Sequence, residues 1–64
     1  MKLCKSVIII GGNSYWLGHD TVARIEDTSM EYSTHVDTCI DVYNDRDQLI
    51  HRIWNCPVDI EYLH

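Results

Sequence analysis

The segment Val36-Asp37-Thr38-Cys39-Ile40-Asp41-Val42-Tyr43 puts Val36, Thr38, Ile40 and Val42 at every second position. Successive side chains of a strand point to opposite faces, so this spacing reads as a half-buried β-strand. The polar run Asn44-Asp45-Arg46-Asp47 follows, and Leu49 to Trp54 is apolar enough to return as its partner. A turn between two such runs ties the pairing of the strands to the turn itself. That feature restricts the chain to antiparallel β architectures.

The flanking segments agree. Leu3 to Ile10 is rich in β-branched residues and ends at Gly11-Gly12-Asn13, which tolerates the positive φ of a tight hairpin. Tyr15 and Trp16 then lie on the returning strand, and Gly18-His19-Asp20 makes a second bend. Thr21 to Glu26 is a weaker strand, and Val58 to Tyr62 alternates after Pro57. The expected fold is mostly β: a small antiparallel meander or barrel-like sheet of about five strands, forming a single small domain over residues 1–64. Two segments also fit a short helix. These are Leu49 to Trp54, with Asp47 as N-cap, and Asp20 to Tyr32, with Val22, Ile25 and Met30 on one side.

Pairing Tyr43 with Gln48 across the Asn44–Asp47 turn sets the register by counting outward, and a three- or five-residue loop would change it. Val42 then faces Leu49, Ile40 faces His51 and Thr38 faces Ile53 on an apolar side. The reverse side carries Tyr43, Asp41, Cys39 and Asp37 opposite Gln48, Ile50, Arg52 and Trp54.

VIIIGGNS, residues 7–14, looks at first like a phosphate-binding turn. The dinucleotide fingerprint G-x-G-x-x-G puts its second and third glycines where this chain has Asn13 and Trp16. A tryptophan there blocks the close helix–strand packing that the third glycine permits. No glycine-lysine pair exists for a P-loop either. The segment is a turn.

Composition excludes further classes. The net charge is −5, and Lys2, Lys5, Arg24, Arg46 and Arg52 are scattered. Nucleic-acid binding needs cations gathered on one face, so neither DNA nor RNA is an expected partner. The longest apolar run, Val7 to Ile10, is too short for a signal-peptide core or a membrane span. Cys4, Cys39 and Cys56 are an odd set without a C-x-x-C pair, which suits reduced thiols in a cytoplasmic protein.

Metal and catalytic sites have weak support. His35 and Cys39 would sit roughly 13 Å apart along a strand. No second ligand pair accompanies them, and no metal or cofactor is expected. Cys39, Asp41 and His51 are close in sequence, but the register places His51 on the face opposite Cys39. Ser14, His19 and Asp20 share one loop, which says nothing about their geometry. His51 reads as a core-edge histidine, and Cys4 and Cys56 as small buried hydrophobes.

The mixed surface is the candidate site: Asp37, Asp41, Tyr43, Arg52 and Trp54, joined by Tyr15 and Trp16. Aromatics beside charges are the composition of interface hot spots. The expectation is a small acidic protein-interaction module, binding a protein partner and forming a homo-oligomer. An inhibitor or a phage or mobile-element accessory protein would be of this kind. The alternative is a small-ligand binder, nucleotide-like in its ligand, with Tyr15, Trp16, Arg52 and the glycine turn forming a pocket between protomers.

Overall fold

The computed structural model describes residues Met1–His64 and contains strands and turns but no helix. Eight strands follow in order: β1 (Lys2–Ile9), β2 (Ser14–Trp16), β3 (Val22–Asp27), β4 (Met30–Glu31), β5 (Val36–Asp37), β6 (Cys39–Asn44), β7 (Leu49–Trp54) and β8 (Val58–Tyr62). All pairings are antiparallel. The mostly-β expectation is met. Both segments that also fit a helix, Asp20 to Tyr32 and Leu49 to Trp54, are strand and turn instead.

Long β1 organises the sheet. One edge takes β8, while the other takes β2 at Ser6 to Ile8 and the end of β3 at Lys2 and Leu3. Between them the chain leaves the ladder and returns, so β2 and β3 act as two halves of one stave. From β3 the sheet continues through β6 to β7. The last strand thus returns to the first, and the sheet curls into a half-barrel around one core. Cys4, Val7, Val22, Ile25, Ile40, Val42 and Ile53 fill it.

Two pairs of those residues break strict alternation, and bulges explain them. Cys4 and Val7 are three apart yet share the core. Cys4 pairs with Tyr62 and Ser6 with Glu61, which leaves Lys5 as an extra residue that resets the face. Val22 and Ile25 are reconciled in the same way by Ala23. In β7 the extra residue is Ile50. Each bulge also bends its strand, which curls so short a sheet around its core.

The β6–β7 register differs from expectation. The loop holds three residues, with Asn44 N–H donating to Gln48 O at 3.0 Å and Asp47 at φ 60°. Tyr43 therefore faces Leu49, which shares its side rather than the apolar one. The Ile50 bulge then adds a second slip, so Val42 faces His51, Asp41 faces Arg52, Ile40 faces Ile53 and Cys39 faces Trp54. Two one-residue slips preserve parity beyond the bulge. His51 and Ile53 keep the core side and Arg52 and Trp54 the reverse, while every opposite partner changes.

The Val36–Tyr43 run is likewise two strands. Asn55 accepts the Thr38 N–H through its side chain at 2.8 Å, and its own N–H donates to Thr38 O at 2.8 Å. Ser29 Oγ accepts from Cys39 N–H at 3.0 Å. With those groups taken, β5 turns away to pair with β4 in a small second sheet. This arm ends in a turn where Tyr32 stacks on His35 at 4.8 Å.

Candidate functional site

The outer face of β3–β6–β7 carries most of the mixed surface. Glu26, Asp41 and Arg52 lie in one row across the three strands, and Arg24, Tyr43 and Leu49 in the next. Asp41 is 4 % exposed although it faces outward, because β6 is the central strand of this part of the sheet. Arg52 holds it with two bonds, Nε to Oδ1 at 2.8 Å and Nη2 to Oδ2 at 3.3 Å. The fork matches the carboxylate, and Asp41 in turn raises the guanidinium pKa above its ordinary value. Cys39 Sγ lies 3.7 Å from the same Oδ1.

The next row is equally organised. Arg24 lies over the Tyr43 ring at 4.1 Å, pairs with Glu26 at 2.8 Å and reaches Asp47 at 2.6 Å. These contacts leave the apolar side chains of the face uncovered: Leu49 is 45 % and Trp54 55 % exposed. Asp37 stands at the edge beside Asn55 Nδ2 at 3.3 Å and His35 Nε2 at 3.6 Å. Asp41, Tyr43, Arg52 and Trp54 are thus brought together by the β6–β7 pairing.

Tyr15 and Trp16 are not part of that face. Tyr15 packs against the core, and its hydroxyl lies 2.8 Å from His51 Nδ1, which ties β2 to β7. His51 is a core-edge histidine with a partner. Trp16 points outward from β2 and is 40 % exposed. Both line a cleft of about 750 Å³ with the glycine turn, Ser14, His19, Asp20 and Ile50. Arg52, which the ligand-pocket alternative placed here, is held by Asp41 on the outer face, and no lysine or arginine lines the cleft. Ser14, His19 and Asp20 meet in this cleft without bonding one another as a triad would.

Sequence reasoning missed Glu26 and Arg24, whose roles follow from the pairing of β3 with β6. It also missed Asp27, which accepts from Tyr62 Oη at 2.7 Å and from Ser29 N–H at 2.9 Å. Burial would raise the Asp27 pKa, but these donors outweigh it and hold the carboxyl below its ordinary range. Asp27 in turn pushes the Tyr62 phenol up to about 12. Of the expected buried cysteines, Cys4 is buried and Cys56 is exposed on the turn before β8. Desolvation, then the charge of Asp27, moves the Cys4 thiol to about 11. No three His, Cys, Asp or Glu side chains are grouped to hold a metal ion.

Fold and site together define a small, all-β half-barrel with an acidic, aromatic-bearing surface. No family model, curated protein or solved structure matches the chain. No helix is long and apolar enough to cross a membrane.

Proposed function

We propose that this chain is a protein-interaction module that binds a protein partner through the outer face of β3–β6–β7. The observation that carries the reading is the uncovered pair Leu49 and Trp54 beside the fixed Asp41–Arg52 bridge. A half-exposed tryptophan next to an immobilised charge pair offers apolar area at little further entropic cost. Such a surface suits an inhibitor or a phage-type accessory factor, which act by occupying a partner. A homo-oligomer and a cytoplasmic setting with reduced thiols belong to the same proposal. The nucleotide-like alternative has less support, since its cleft lacks a cation to meet phosphate.

The test is affinity capture from cells with wild-type protein and with the double variant Trp54→Ala, Leu49→Ser. Both positions are exposed, so the variant should keep its circular dichroism spectrum. Proteins held by the wild type are expected to be lost from the variant. Equal capture by a folded variant would overturn the assignment of this face. Native mass spectrometry of the gently purified protein separates the alternative, for which each protomer or interface would carry a constant extra mass.

A further inference from the structure

Trp16 forms a ridge between two clefts. On one side lies the cleft that contains Asp20, and on the other a groove of about 280 Å³ floored by Ser6 and Ile8 and edged by Asp59 and Glu61. Pairing places these groups together: Ser6 of β1 stands between Trp16 and Glu61, and Ile8 between Ser14 and Asp59. None of the chain's five ion pairs involves Asp20 or Asp59, and Glu61 has only a loose contact with Lys5 at 3.8 Å. Apart from Lys5, three of the chain's cations are engaged elsewhere. Arg24 covers Tyr43, Lys2 lies 5.3 Å from the Tyr62 ring, and Arg52 is held by Asp41. Tryptophan is the strongest ring acceptor for a cation, yet neither of these ring contacts uses Trp16.

We infer that the Trp16 ridge and its two flanking clefts dock a basic, extended segment of a partner protein, with a lysine or arginine side chain over the indole and neighbouring basic groups against Asp20 and Asp59. Charge complementarity selects this occupant. An anion would meet three carboxylates against the single Lys5, which already faces Glu61, and a second copy of the chain carries the same net charge of −5. The loop beside the ridge is held in an uncommon shape. Asp20 and Thr21 both have positive φ, 51° and 63°. This surface is separate from the outer face of β3–β6–β7 and stands or falls without it.

The probe is the acetylated, amidated pentapeptide Arg-Gly-Arg-Gly-Arg, with Glu-Gly-Glu-Gly-Glu as its counterpart, titrated into the full chain at near-physiological salt. Two-dimensional ¹H–¹⁵N NMR resolves the two indole N–H groups. The expected result is a saturable shift of the Trp16 indole and of the Asp20 and Asp59 amides with the basic peptide alone, and an unmoved Trp54 indole. Trp16→Ala, or Asp20→Asn with Asp59→Asn, should weaken binding about fivefold or more, whereas Glu31→Gln with Asp45→Asn should not. A linear shift without saturation, equal loss in the distant-carboxylate variant, or a response centred on Trp54 would overturn the assignment. Both variant sites are at exposed positions, and retention of the wild-type amide spectrum elsewhere shows that the fold is intact.

Discussion

Tyr62 and Asp27 show how much one pair contributes. The phenol donates to Asp27 at 2.7 Å and joins the end of β3 to β8, two strands that share only β1 as a neighbour. A hydrogen bond to a carboxylate in a part-buried setting is worth roughly 1–2 kcal/mol. Tyr62→Phe should lose that amount at neutral pH, as measured by urea unfolding. The sign with pH follows from both groups. Asp27 has a lowered pKa in the fold, so its share is complete above the ordinary carboxylate range and disappears as pH falls through the lowered value. Tyr62 is raised from 10.0 to about 12, so its share is complete below the ordinary value and lost as pH rises through about 12. The wild-type advantage should therefore be a plateau that collapses at both ends. An advantage independent of pH would mean that the pair contributes packing alone.

At the scale of elements, turns and bulges decide more than the strands do. The His19–Val22 turn closes with Val22 N–H donating to His19 O at 2.9 Å, with both central residues at positive φ. That is the geometry of a type I′ hairpin turn, for which Asp-Gly is a favoured central pair. Here Thr21 occupies the glycine position, and a β-branched residue at φ 63° is strained. Thr21→Gly should raise stability by about 1 kcal/mol, or about 4–8 °C in Tm for a domain of this size. Thermal unfolding followed by circular dichroism checks it, and a lower Tm would show that the threonine makes compensating contacts. The first hairpin has no such strain. Gly11, at φ 80°, supplies the positive value that the Ile9–Gly12 turn requires.

For the whole molecule, size sets the limits. The radius of gyration is 11.4 Å against roughly 10.7 Å for a compact domain of this length, and β4–β5 form a two-stranded sheet separate from the main one. Seven buried core residues are few, and each buried aliphatic side chain contributes about 1.5–3 kcal/mol before entropy is subtracted. Cysteine reactivity reads the consequence. Cys56 is exposed, whereas Cys4 and Cys39 are buried and Cys4 is pushed to about 11. With a thiol reagent at neutral pH, one equivalent should react at once and two at the rate of opening of the fold. Three fast equivalents would show that the core opens far more readily than its packing implies.

Some of this was legible in the residues alone. Alternation in Ile40 to Val42 and in Val58 to Tyr62, the β-branched run before Gly11, and the polar turn after Tyr43 all follow from the period of a strand and the φ values a turn needs. These are local properties, and each segment carries its own signal. The sequence by itself therefore determined strand positions, the first hairpin and the core side of Ile40, Val42, His51 and Ile53. Leu49, expected on the apolar side, lies instead on the outer face, and Val36 leaves the sheet for the small second one. Tertiary structure decided the partners. A three-residue loop and the Ile50 bulge together moved Arg52 from Cys39 to Asp41, Asn55 broke the long run at Thr38, and β8 returned to β1 to set Tyr62 on Asp27. Those choices depend on groups distant in the chain competing for the same backbone donors and the same buried volume, and no local pattern records the outcome of that competition.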